Sequence, residues 1–108
     1  MIERSQLRGI IPPMVTPFEQ DGCTVSEKGV HALVNFIIAQ GAHGIFVAGT
    51  TGESAALDDA QWQRLLRFTV AATNKRVPVL AGVSAATTAP AVARARWAQE
   101  LGADVVVS

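Results

Sequence analysis

Apolar residues follow two alternating patterns along the chain, short continuous runs and helical spacings. The continuous runs predict strands near residues 9–15, 44–48, 77–82 and 104–107. Because the run at 44–48 is apolar at nearly every position, both faces of that strand should be covered, as in a parallel sheet between helices. Stretches with helical periodicity separate the runs, and the strands begin roughly 25–35 residues apart, the length of a βα unit. The pattern predicts an α/β chain in the order β-α-β-α-β-α-β.

Capping residues mark the ends of the predicted helices. Thr24 is the predicted N-cap of the first helix, with Glu27 reaching back in a capping box, and Gly41 should end that helix. Asp58 precedes the second helix and provides a carboxylate for its first turn. Gly102 should end the third helix before the last strand.

The segment Gly49–Ser54, with the sequence GTTGES, follows the second predicted strand and precedes the second helix. Two hydroxyls between glycines, beside backbone N–H groups at a strand end, suit a small anion such as a carboxylate or a phosphate. A tight turn that uses the freedom of glycine at positive φ is the alternative. The segment alone leaves both interpretations open.

Right-handed crossovers arrange such a chain either as part of a (β/α)8 barrel or as an open doubly wound sheet. In a barrel the loops after the strands form the functional face, so Thr16 and Ser84, at two other strand exits, are possible site-lining residues. An open nucleotide-binding domain is disfavoured, because no G-x-G-x-x-G follows the first strand and no P-loop lysine is present.

Composition narrows the function classes. The chain has 108 residues, 49% hydrophobic and 17% charged, with a formal net charge of zero, which fits one soluble domain and no nucleic-acid surface. Its apolar runs are too short for a membrane span and no leader pattern is present, so we expect a cytoplasmic protein. Cys23 is the only cysteine, and His31 and His43 lack metal-ligand spacing. We therefore expect no metal and no cofactor.

Four motifs in register carry a family resemblance. Gly9–Phe18 resembles the opening strand of the dihydrodipicolinate synthase / N-acetylneuraminate lyase family, and GTTGES resembles its pyruvate-binding motif. Val77–Val83 and Leu101–Asp104 occur at the spacing of that family. The resemblance covers essentially the whole chain. It implies that residues 1–108 are the N-terminal half of a (β/α)8 TIM barrel, truncated at strand four.

The resemblance also implies a chemistry. Members of the family form a Schiff base between a lysine and a 2-oxo acid, usually pyruvate, and then make or break a carbon–carbon bond or dehydrate a sugar acid. Thr51 would bind the carboxylate through its hydroxyl and N–H. Thr50 would bind it through its N–H and supply a catalytic hydroxyl to a proton relay. Gly49 and Gly52 complete the binding loop. Glu53 is either an acid–base group or, the favoured interpretation, a structural acceptor that fixes the loop.

The family's Schiff-base lysine and catalytic tyrosines lie on or after later strands. This chain contains no tyrosine, and its only lysines are Lys28 and Lys75. An imine-forming lysine needs a desolvated pocket that lowers its pKa. Lys28 is expected on a solvated helix turn and Lys75 at the opposite end of the sheet from GTTGES. We therefore expect this chain alone to be inactive.

Several functions remain open. The leading one is a dihydrodipicolinate synthase-like lyase that acts on pyruvate or a related 2-oxo acid. A 2-keto-3-deoxy sugar-acid aldolase or dehydratase and an N-acetylneuraminate lyase are alternatives within the family. A non-catalytic half-barrel that serves as a structural or interaction module is another. Since a half-barrel leaves two strand edges unpaired, a homo-oligomer is expected.

Overall fold

Three parallel strands alternate with three helices in the computed structural model, which describes residues 4–49, 52, 57–85 and 87–108. A short 3-10 turn, Arg4–Gln6, precedes them. The elements are α1 (Glu27–Ala39), β1 (Ile45–Val47), α2 (Asp59–Thr73), β2 (Val79–Gly82), α3 (Thr88–Leu101) and β3 (Val105–Val107). The sheet order is β1-β2-β3, and each strand is parallel to its neighbour. The predicted α/β class with parallel strands is confirmed.

The strand predicted near residues 9–15 is not a regular strand, so the four-strand layout is not confirmed. This segment runs beside β1 and forms one isolated parallel bridge, between Pro13 and Phe46. The N–H of Met14 donates to the carbonyl of Phe46 at 2.7 Å, and the N–H of Phe46 donates to that of Pro12 at 3.1 Å. Because Pro12 and Pro13 have no N–H, the segment cannot complete a ladder on both of its edges.

The core forms around α2, which packs against both other helices and against β1 and β2. One face of α2 is buried, as its periodicity predicts, and its buried residues include Trp62, Leu65, Leu66, Thr69 and Thr73. The strands add Ile45, Val47, Val79 and Ala81. Burial of each large apolar side chain stabilises the fold by about 1.5–3 kcal/mol. In the described ranges, no helix is both long enough and apolar enough to cross a bilayer.

The start of α1 differs from the prediction. Its N-cap is Ser26, whose hydroxyl accepts a hydrogen bond from the N–H of Gly29 at 2.9 Å. Thr24 lies in the preceding turn, where its hydroxyl donates to Oδ2 of Asp21 at 2.6 Å. The predicted capping box is wrong, since the N-cap lies two residues later, at Ser26, and the hydroxyl of Thr24 is bonded to Asp21 instead.

The other helix ends follow the prediction. Asp58 caps α2 and accepts from the N–H of Gln61 at 2.8 Å. That helix ends on Asn74, and Arg76 then donates back to the carbonyl of Ala72 at 2.7 Å, as suits a cation at a helix C-terminus. Gly102 ends α3 in the left-handed region, at a φ of 96°.

Large apolar side chains are exposed on several elements. Ile10, before β1, and Phe36, in α1, are 69% and 61% exposed and line the same surface pocket. Val92, in α3, and Val106, in β3, are also exposed.

Candidate functional site

The candidate site lies where β1 and β2 end, at the carboxyl edge of the sheet. The segment Gly49–Ser54, which we call the glycine loop, follows directly from β1. The structure describes Gly49 and Gly52 of this loop. The predicted site residues Thr50, Thr51 and Glu53 lie outside the described residues.

Thr16 anchors the glycine loop. Its side chain is buried, and its hydroxyl donates a hydrogen bond to the carbonyl of Gly52. A hydroxyl removed from water needs such a partner, so the bond fixes the separation between residue 16 and the loop. Thr16 was predicted as a possible site-lining residue. The structure places it in contact with the loop, as a support for its backbone.

The end of β2 abuts the start of the glycine loop. A Cβ added at Gly82 would overlap the carbonyl of Ala48, approaching its carbon to 2.9 Å, and would lie 3.2 Å from the nitrogen of Gly49. A Cβ at Gly52 would lie 3.0 Å from the carbonyl oxygen of Met14. Glycine is therefore required at residue 82 because two backbones meet there.

Ala48 turns the chain from β1 into the loop. It has a φ of 60°, in the left-handed region, and its side chain is buried. This conformation costs an alanine about 1–2 kcal/mol relative to the right-handed region. Strain of this kind persists where the surroundings fix the backbone, and it is common at ligand-binding sites.

Two side chains, one from α2 and one from α3, contact backbone carbonyls at and just after the end of β2. The indole Nε1 of Trp62, which is completely buried, donates to the carbonyl of Gly82 at 3.0 Å. Nη1 of Arg94 lies 3.4 Å from the carbonyl oxygen of Ser84, the exposed residue two positions further on. The helical spacing of apolar residues places Trp62 on the buried face of α2, and no pattern in the sequence singles out Arg94. Neither contact has a signal in local sequence, because both join residues brought together by folding.

Lys75 lies at the opposite edge of the sheet from the glycine loop and Lys28 is exposed to solvent, as predicted. Lys75 comes just before β2, at the amino edge of the sheet, where it lines a cavity of about 510 Å³ with Gln6, Arg76, Asp104 and neighbouring residues. Lys28 is exposed in the first turn of α1. Neither has the desolvated surroundings that make a lysine a nucleophile at neutral pH.

His43 has a structural contact, and the single cysteine is exposed. Nδ1 of His43 accepts a hydrogen bond from the N–H of Ile10 at 3.0 Å and so helps to hold the first extended segment. Cys23 is exposed in the turn before α1. Within the ranges that the structure describes, no cluster of three or more His, Cys, Asp or Glu side chains could hold a metal ion.

Asp21 organises the turn before α1, at the same edge of the sheet as the glycine loop. Hydrogen bonds from the Thr24 hydroxyl, and then from the N–H groups of Cys23 and Thr24, lower the pKa of Asp21 from 3.8 to about 2. Each bond stabilises the ionised carboxylate, which accepts all three.

In α/β proteins whose parallel strands are joined by helices, small molecules commonly bind at the carboxyl edge of the sheet, where the glycine loop lies in this chain. The model of the dihydrodipicolinate synthetase family matches residues 6–108, and the chain belongs to this family. It is a lyase family of the aldolase type.

Relatives and solved structures agree with this assignment. The 4-hydroxy-tetrahydrodipicolinate synthase of Chelativorans sp. (strain BNC1) is 44% identical over 100 residues, which are 93% of this chain and 34% of that protein. A chloride-inhibited dihydrodipicolinate synthase from Acinetobacter baumannii, solved with pyruvate, has a TM-score of 0.88 and 35% identity over 93% of this chain and 34% of its own. N-acetylneuraminate lyase from Mycoplasma synoviae has a TM-score of 0.88 and 30% sequence identity, over 96% of this chain and 36% of its own.

The chain spans about a third of the length of these relatives. It corresponds to an N-terminal portion of the family's enzymes.

Proposed function

We propose that this chain supplies the carboxylate-binding loop of a dihydrodipicolinate synthase-like Schiff-base lyase that acts on pyruvate or a related 2-oxo acid. In this proposal Thr51 binds the carboxylate with its hydroxyl and N–H. Thr50 binds it with its N–H and passes a proton through its hydroxyl. The observation that carries the proposal is the support of the glycine loop at Gly52, where the hydroxyl of Thr16 is bonded to its carbonyl.

Neutral groups provide that support. The backbone of Gly82 and the hydroxyl of Thr16 contact the loop, and neither brings a net charge to it. Preorganised neutral donors can hold an anion in a water-poor site and keep it oriented without a buried countercharge. The Acinetobacter relative, which was solved with pyruvate, supports a 2-oxo acid as the bound anion. Glu53 then acts as a structural acceptor in the loop.

The rest of the chemistry requires residues that this chain does not contain. The chain has no tyrosine, and its two lysines are Lys28 and Lys75. We therefore propose that residues 1–108 form the N-terminal half of a (β/α)8 barrel and are inactive alone. The Schiff-base lysine and the tyrosine hydroxyls would come from the other part of the barrel.

Complementation tests this proposal. The chain is co-expressed with the remainder of the Chelativorans synthase, and the resulting complemented enzyme is assayed with pyruvate. Thr51→Val removes one hydrogen bond to a charged group, and we expect kcat/KM for pyruvate to fall about 10- to 100-fold. Thr50→Val should lower kcat more than it raises KM, because the hydroxyl acts in proton transfer.

Thr87→Val is the matched control. Thr87 is exposed at the start of α3, and its side chain makes no capping hydrogen bond. The Thr87→Val variant should leave kcat and KM for pyruvate unchanged. Equal kinetics for the Thr51 and Thr87 variants would overturn the proposed role of the loop.

A second candidate function is cleavage of N-acetylneuraminate, which is favoured by the structural similarity to the Mycoplasma synoviae lyase. Co-expression with the remainder of that lyase provides the comparison. Activity restored by the synthase remainder and not by the lyase remainder supports the synthase-like function. The reverse result supports the lyase. Failure of both remainders to restore activity favours a non-catalytic half-barrel module.

A further inference from the structure

Arg94 occupies an unusual position for an arginine. It lies in the middle of α3, and its side chain is only 12% exposed. The guanidinium lies 5.8 Å from the ring centre of Trp62, within the range of a cation–π contact. Burial of a guanidinium is costly unless its N–H groups find acceptors, so the contacts of Arg94 matter for the local structure.

The two ends of the guanidinium contact two different elements. Nη1 lies 3.4 Å from the carbonyl oxygen of Ser84, in the loop after β2. Nη2 lies 3.6 Å from Oδ1 of Asp59, in the first turn of α2. The buried Nε has no hydrogen-bond partner among the residues that the structure describes. Arg94 is thus held at its ends, where it joins a loop to a helix.

These contacts continue to the glycine loop. Trp62, beneath the guanidinium, donates to the carbonyl of Gly82, two residues before Ser84. Gly82 in turn abuts the backbone of Ala48 and Gly49. A movement of the loop after β2 would therefore also move Gly82, which packs against the start of the glycine loop.

We propose that Arg94 is a positioning residue, which binds the loop after β2 to the first turn of α2 and so holds Gly82 against the glycine loop. It acts through the backbone of residues 82–84 and does not contact the substrate. Its effect on pyruvate binding rests on the proposed function, whereas its effect on the backbone does not.

The first test uses the chain itself. Amide and indole N–H resonances are compared between the parent chain, Arg94→Met and Arg96→Met. Arg96 is exposed on the same helix and is the matched control. We expect Arg94→Met to shift the amides of Gly82, Ser84 and Gly49 and the indole of Trp62, and Arg96→Met to leave them in place. Shifts at these positions no larger than those of the control would overturn the proposal.

Arg94→Lys keeps the test decisive if the methionine variant does not fold. Lysine retains the charge but presents a single ammonium, which cannot contact Asp59 and Ser84 as the two ends of a guanidinium do. We expect its resonance shifts at Gly82 and Ser84 to exceed those of Arg96→Lys. Equal shifts in the two lysine variants would also overturn the proposal.

The second test uses the complemented enzyme. The glycine loop would bind the carboxylate equally well in the ground state and in the transition state. Arg94→Met should therefore raise KM for pyruvate about fivefold and leave kcat within about twofold. If the parent complex shows no pyruvate chemistry, the proposed function fails, while the resonance comparison still decides the role of Arg94. If the parent is active and the KM of Arg94→Met matches that of Arg96→Met, the link to pyruvate binding is wrong.

Discussion

The carboxyl and amino edges of the sheet are built from different groups. At the carboxyl edge, the backbones of Gly82 and Ala48 approach so closely that a single Cβ would not fit, and a buried hydroxyl holds Gly52. At the amino edge, Lys75, Arg76 and Asp104 line an open cavity of about 510 Å³. At the carboxyl edge uncharged groups hold the glycine loop in close contact, whereas charged side chains line the open cavity at the amino edge.

Both edges contribute to stability, but in our proposal only the carboxyl edge also positions the loop that binds the oxo acid. The charged groups at the amino edge cap helices and bind backbone, as Arg76 does at the end of α2. The closely packed carboxyl edge holds a loop in a fixed position, which is what an anion site requires. In our proposal the glycine loop and the residues that directly support it contain no amine, so the Schiff-base lysine comes from another part of the barrel.

The largest effect is expected for Gly82→Ala. The added Cβ would overlap the Ala48 carbonyl, so the two strands must separate, and we expect a loss of about 3 kcal/mol in the free energy of unfolding. Gly41→Ala is the control. Gly41 has a positive φ of 94°, but an added Cβ would meet open space. Its substitution by alanine should lower the free energy of unfolding by about 1 kcal/mol. Urea unfolding measures both, and an equal cost would show that the edge is not closely packed.

Thr16→Val should have the next largest effect. Removal of the hydroxyl leaves the buried carbonyl of Gly52 without this partner, which costs about 1–3 kcal/mol. The side chains have nearly the same volume, so packing should change little. Thr87→Val, at an exposed site, should lie within about 0.5 kcal/mol of the parent in the same urea titration. If the Thr16 variant is as stable as the Thr87 variant, the hydroxyl of Thr16 does not anchor the glycine loop.

Arg76→Met tests the amino edge. It removes hydrogen bonds to Asn35 and to the carbonyls of Ala72 and Thr73, and should cost about 1 kcal/mol. It should leave KM for pyruvate in the complemented enzyme unchanged. Lys75→Met, beside it and exposed, is the control for loss of one positive charge. A rise in KM confined to the Arg76 variant would contradict the separation of the two edges.

The smallest effect concerns pH and the turn that holds Asp21. Since folding lowers its pKa from 3.8 to about 2, the ionised carboxylate stabilises the folded chain above pH 3.8, and this contribution is lost as the pH falls towards 2. Asp21→Asn should remove this part of the acid sensitivity. The urea midpoint of the parent chain should therefore fall more between pH 5 and 2 than that of the variant. Parallel pH profiles for the two chains would refute the assignment.

Periodicity predicted what depends on local pattern. The buried face of α2 and the apolar strands follow from spacing alone, because burial repeats with the helix or strand period. The strand predicted near residues 9–15 is not regular, because Pro12 and Pro13 have no N–H to donate to a ladder. The capping box was wrong because Ser26 caps the helix, while the hydroxyl of Thr24 donates to Asp21, three residues earlier.

The site was predicted less completely. Glycines at 49, 52 and 82 were visible in the sequence, but the contact between Gly82 and Ala48 depends on how neighbouring strands align. Thr16 and Gly52 are 36 residues apart, and Arg94 and Asp59 are nearly as distant along the chain. Contacts of this kind arise from tertiary packing and have no periodic signal.

The most direct test of the central claim is borohydride trapping with pyruvate, followed by intact mass and peptide mapping. We expect the 108-residue chain alone to remain unmodified and the complemented enzyme to gain one adduct, on a lysine of the complementing part. A specific adduct on Lys28 or Lys75 would contradict it, because the imine-forming amine would then lie within this chain.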